Sequence, residues 1–86
     1  MKAAKAMPKY KCHKQVWALK IKHIRMNVIT GEGLITPEDS RYSIFTVPLD
    51  YMNKHKPQAG GYYVVYEDGY KSFSPADAFE SGYSII

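Results

Sequence analysis

KQVWALKIKHIRMNVI, residues 14–29, decides the fold. In its first half Trp17, Leu19 and Ile21 are apolar, and Ala18, Lys20 and Lys22 alternate with them. Period two is the signature of a strand. The phase then slips, because Ile24, Met26 and Val28 are apolar while His23, Arg25 and Asn27 are polar. One regular strand cannot keep both sets on one face. A β-bulge near Lys22-His23 restores the phase. The rival is a helix, since Trp17, Ile21, Ile24 and Val28 also fall on a helical stripe. The β-branched Val16, Ile21, Ile24, Val28 and Ile29, and a start without a capping residue, favour the strand.

Working outward, Thr30-Gly31-Glu32-Gly33 reads as a turn into a short return through Leu34 and Ile35. After a loop at Pro37-Glu38-Asp39-Ser40, residues 42–47 (YSIFTV) are β-prone. Residues 48–55 suit a single helical turn with Leu49 and Met52 inward, and residues 56–61 are a connector. Tyr62 to Phe73 is the clearest element, a hairpin around Asp68-Gly69. A two-residue type I′ turn there pairs Glu67 with Tyr70. Tyr62, Val64, Tyr66, Lys71 and Phe73 then share one face, and Tyr63, Val65, Glu67, Tyr70 and Ser72 the other. Ser74-Pro75-Ala76-Asp77 starts a helix, with Ser74 as cap, Pro75 first in the helix and Asp77 complementing the macrodipole. That helix stops at Gly82, packs Ala78 and Phe79 on the sheet, and leaves Tyr83 to Ile86 as an extended tail. The outcome is an α+β fold: a small single antiparallel sheet, curled toward a barrel, with a C-terminal hairpin followed by a short helix.

The chain has 86 residues, which allows one domain. Residues 1–11 read as a flexible basic arm and residues 12–86 as a single small domain. Residues 1–25 carry eight basic groups and no acid, whereas residues 26–86 carry four basic groups and all eight acids. Eight of the twelve aromatics are Tyr, which suits half-buried surfaces and interfaces. The single cysteine, Cys12, excludes an intrachain disulfide framework. Neither a membrane-spanning run nor a signal-peptide pattern is present, so the expected location is cytoplasmic.

The chemistry-bearing residues are sparse. Cys12 and His13 are neighbours, and adjacent strand residues point to opposite faces, so they do not form a nucleophile–base pair. His13, His23, His55 and Cys12 lack metal-ligand spacing, and no metal or cofactor is expected. The acids fall mostly in turns and at the helix start. No phosphate-loop pattern accompanies the glycines. An enzyme is therefore not expected. Two surfaces stand out. Tyr63, Val65 and Tyr70, with Trp17 nearby, are candidate anchors of an aromatic protein-binding face. Lys9, Tyr10, Lys11, Lys14, Lys20 and Lys22 are candidate nucleic-acid contacts, with Lys14, Lys20 and Lys22 forming a basic stripe if 14–22 is a strand.

YKCHK at residues 10–14 with WALKI at 17–21, and KHKPQAGGYYVVYEDGYKSFSP at 54–75 with Ala78-Phe79, resemble segments of a family of small, uncharacterised accessory proteins of tailed phages and prophages. Residues 27–53 carry no such resemblance, and residues 1–6 fall outside the shared domain. The resemblance implies a phage origin and assigns no role to any residue. The expected function is a non-enzymatic binding module in the bacterial host cell that docks its aromatic sheet surface on a host protein. The alternatives are nucleic-acid binding through the basic segment and capture of a small nucleotide signal in an aromatic pocket. An open sheet edge adds self-association to the expectations.

Overall fold

The structure is a computed structural model and describes residues 7–11 and 15–85. Residues 14–29 do yield a strand, β2 (Gln15–Met26). The bulge falls where the phase slip puts it. Ile21 pairs with Pro37 and His23 with Thr36, leaving Lys22 as the extra residue. Ile21 and Ile24 therefore both reach the same core.

β2 is the hub of a seven-stranded antiparallel sheet, and its two edges carry different partners. Ala18 N donates to Pro8 O, and Lys20 O accepts from Glu38 N. Up to the bulge, even-numbered backbone groups thus face β1 (Lys9–Lys11) and then β3 (Gly33–Pro37), which follow each other along one edge; past it the parity reverses, and Asn27 N bonds Glu32 O. Ile21 N and O bond Gly61 O and Gly60 N, so odd-numbered groups face β5 (Tyr62–Tyr66) on the other edge. β4 (Phe45–Val47) continues the sheet beyond β3, β6 (Lys71–Ser74) beyond β5, and β7 (Ser84–Ile85) beyond β1. The sheet curls into a half-barrel, and two short helices lie on its faces: α1 (Leu49–His55) and α2 (Ala76–Gly82).

Residues 9–11 of the expected arm are therefore a strand. They satisfy backbone groups of β2 that burial would otherwise leave unpaired. Residues 1–6, Cys12, His13 and Lys14 lie outside the described residues. Of the expected strand over residues 42–47, only Phe45–Val47 forms. Just before it Asp39 accepts from the N, Nε and Nη2 groups of Arg41, and these bonds hold its carboxyl down at about 2.

Residues 16–19 of β2 and 62–65 of β5 are buried on both faces. Trp17, Ile21, Ile35, Val47, Tyr51, Tyr63 and Val65 form the core under α1. Val16, Ala18, Tyr62, Val64 and Phe79 form the second, under α2. The hairpin explains how the aromatics divide. Its loop has three residues, 67–69, because Tyr66 N donates to Tyr70 O and Gly69, at φ 92°, donates to Tyr66 O. Asp68 Oδ1 accepts from Tyr70 N and fixes that turn. A type I turn closed by a left-handed glycine replaces the expected two-residue turn. The register moves by one, and every β6 side chain changes face. Phe73 thus pairs with Tyr63 and joins the α1 core instead of the Tyr62 face.

The helices also differ in detail from expectation. In α1 the buried residue is Tyr51, while Leu49 is exposed and Met52 half-buried. The Tyr51 ring lies 5.7 Å from that of Tyr63, and its hydroxyl donates to Ser72 O. In α2 the cap position is Pro75 and Ser74 makes no capping bond, because Ser74 still belongs to β6 and its hydroxyl turns to Pro75 O. Asp77 does occupy the first turn. Phe79 is buried between Tyr62 at 4.1 Å and Tyr83 at 4.6 Å, whereas Ala78 is exposed and Ala76 makes the second contact.

Two predictions arise here. A Cβ on Gly61 would collide with the Phe73 ring and lie 2.9 Å from Ser74 O. Gly61→Ala is expected to cost about 1–3 kcal/mol by overpacking, read as a lower urea midpoint. Burial pushes the Tyr51 phenol well above its ordinary range, helped by Tyr63 and Tyr70, and burial also pushes up Tyr63. In the unfolded chain both protons leave near pH 10, about the ordinary tyrosine value. The folded state holds them to higher pH, so above that point the unfolded state binds fewer protons and stability falls as pH rises. Thermal melts across that window are expected to show the fall, and Tyr51→Phe to lessen it.

Candidate functional site

β5 pairs only with residues 16–20 of β2. Past the bulge, β2 runs on with β3 and β4 as a three-stranded wing. Alternation gives the wing two faces. Ile24, Ile35 and Val47 point to the α1 core. On the other face His23, Arg25, Leu34 and Thr36, with Ile44 just before β4 and part of the half-buried Ile24, line a groove of about 350 Å³. α2 does not reach this face; its core is built on Val16, Ala18, Tyr62 and Val64.

The wing ends in a tight loop, residues 27–32. Asn27 N donates to Glu32 O and Gly31 N to Asn27 O. The Asn27 side-chain oxygen accepts from the N–H groups of Ile29 and Thr30, at 2.9 and 3.2 Å. Thr30 Oγ1 accepts from Glu32 N. Gly31 takes φ 79°, which the left-handed region reserves mainly for glycine, and Leu49 packs over it. This network holds the loop in one shape and spends the two central side chains on solvent: Val28 and Ile29 are each 90% exposed. Among the described residues, Met26, Val28, Ile29 and Leu49, four of the six large exposed hydrophobics, sit at or against this loop, and a fifth, Ile44, precedes β4 farther back on the wing. Apolar surface gathered in one place marks an interaction site.

The residues expected from sequence are distributed differently. Trp17, Tyr63 and Val65 lie under α1, so they are core and not a surface patch; Tyr63 is 7% exposed. Tyr70 alone of that set is open, at 43%. It stacks on Tyr66 at 5.9 Å, meets the His55 ring at 5.9 Å and lies under the Lys54 ammonium at 5.1 Å. His55 is held below its ordinary value by burial and, secondarily, by Lys54.

The basic stripe is also broken up. The Lys20 ammonium is bound to Gly60 O and Glu80 Oε2, both at 3.0 Å, and lies over the Tyr62 ring. Glu80 in turn accepts from the Tyr62 hydroxyl, and these bonds lower its carboxyl. Lys22 is the bulge residue, exposed. Lys9, Tyr10 and Lys11 lie on β1, and Lys14 falls outside the described residues. Among the described residues no three His, Cys, Asp or Glu gather as a metal site, and no helix is long and apolar enough to cross a membrane.

The sequence reading passes over Val28 and Ile29 as the end of a strand. The signal that marks them is Asn27, whose side chain replaces the ladder by an Asx turn before the glycines are reached.

No family model and no curated protein matches the chain. Among solved structures it is similar to the phage L decoration protein in its monomeric form, with a TM-score of 0.71 and 26% sequence identity. The match covers 96% of this chain and 62% of that one, so the chain spans less than two thirds of the decoration protein's length. This likeness supports a small phage-related protein whose fold is similar to that of a decoration protein.

Proposed function

We propose that this protein is a non-enzymatic docking module that attaches to the outer shell of a phage particle through the wing and its tip. The observation that carries the reading is the loop at residues 27–32, where six hydrogen bonds hold Val28 and Ile29 out in water. Exposed aliphatics on a flexible loop would collapse or pay ordering entropy on binding; on a fixed loop that cost is already met. Burying each of the two contributes about 1.5–3 kcal/mol. Likeness to a decoration protein favours a phage shell over the host protein expected from the sequence. The protein is made in the host cytoplasm and carried on the particle.

The test is co-sedimentation with purified capsids of the tailed phage or prophage that encodes the chain. Saturable binding at a fixed number of copies per capsid is expected. Protein that stays in the supernatant at about 10 μM, where contacts of this size should be populated, overturns the reading.

A further inference from the structure

We infer that the groove on the outer face of the wing receives an extended, acidic segment of the protein on which the tip docks; this rests on the docking reading above. Its walls and floor differ in kind. Leu34 and Ile44 give it an apolar floor, Thr36 a hydroxyl, and Arg25 and His23 its nitrogen donors. No carboxylate lines it. Arg25 lies directly across from Leu34, so its guanidinium stands beside the apolar floor. The ion pairs among the described residues are Lys20–Glu80 and Arg41–Asp39, and neither engages Arg25. Lys22, exposed at the bulge and next to His23 in the chain, is a second basic residue on the same strand.

This pattern selects the occupant. A guanidinium takes a carboxylate in paired geometry, and the neighbouring apolar side chains exclude water from that pair. Aspartate or glutamate alternating with aliphatic residues fits both features at once. Single-stranded nucleic acid fits less well, because no Phe, Tyr or Trp lines the groove and the His23 imidazole is the one ring there for a base to stack on. Directly after the lining residue Ile44 begins β4, whose outer edge has no strand partner among the described residues, so an extended chain can lie alongside it.

The test is an NMR titration of the full chain with the peptide Leu-Glu-Leu-Glu-Leu-Glu, its Lys counterpart and a thymidine hexanucleotide. The acidic peptide is expected to shift the amides of His23, Arg25, Leu34 and Thr36 saturably. Raising salt from about 50 to about 300 mM should weaken it several-fold, since exposed charges are then screened. Arg25→Glu should weaken it about five- to tenfold, and Arg25→Lys less. The proposal falls if those amides do not move, if the Lys peptide moves them equally, if Arg25→Glu binds like the parent, or if the oligonucleotide binds them more tightly. Capsid co-sedimentation is scored separately. Capsid binding with silent groove amides sinks this inference and leaves the docking reading standing. Peptide binding without capsid binding supports the groove's acidic preference and overturns only its assignment to a phage shell.

Discussion

Ile29→Asp is expected to remove capsid binding while leaving the fold intact. Ile29 is 90% exposed, so replacing it changes stability by no more than about 0.5 kcal/mol, typical of a surface site. For a domain of this size that moves the melting temperature by about 2–4 °C. Binding is a different matter. The substitution gives up about 1.5–3 kcal/mol of aliphatic burial and asks a carboxylate to leave water without a partner, which costs at least as much again. Together these weaken the complex by two to four orders of magnitude, on the scale where each ~1.4 kcal/mol is tenfold. Tyr70→Ala is the contrast. It lies on the β5–β6 hairpin, the surface favoured by sequence, and should change capsid affinity less than about threefold. Capsid pelleting with calorimetry on the same samples reads both quantities. If Ile29→Asp pellets as well as the parent, the tip is not the contact.

Phe79→Ala is expected to have the largest effect on stability. Phe79 is 1% exposed, and α2 has no other buried residue. Its ring stacks between Tyr62 and Tyr83 with interplanar angles of 23° and 18°. Truncation empties the space between two rings that are themselves fixed, Tyr62 by its hydrogen bond to Glu80. A cavity that cannot collapse puts the loss at about 3–5 kcal/mol. A domain of 86 residues carries a total stability of only about 5–15 kcal/mol, so the variant should be partly unfolded at physiological temperature. Denaturant unfolding by circular dichroism reads the loss. A cost below about 1 kcal/mol would show that α2 contributes little to closing the second core.

The fold was legible where periodicity alone governs it. The slip between Ile21 and Ile24 located the bulge because a strand has only two faces, and the core accepts one. The hairpin was legible as a hairpin, but its register was not. Asp68-Gly69 is compatible with a two- or a three-residue loop, and only the glycine's position relative to Tyr66 distinguishes them. That one-residue difference sent Phe73 to the α1 side. The aromatic face failed as a surface for a related reason. A strand with apolar residues on both faces can be half-exposed or central, and Tyr62 to Val65 are central because α1 and α2 cover both sides. The tip was obscured because Val28 and Ile29 look like a continuing strand until Asn27 is read as the turn's first residue.

The pairing of β1 with β7 has a practical reach. Tyr10 lies opposite Ile85 and Lys11 opposite Ser84, so the first and last strands are neighbours. β1 joins β2 at residues 15–17, while the tip lies beyond Met26, about 30 Å along the strand at its ordinary rise. A label attached at Ile85 would therefore start out at the end remote from the tip, clear of the proposed docking contact.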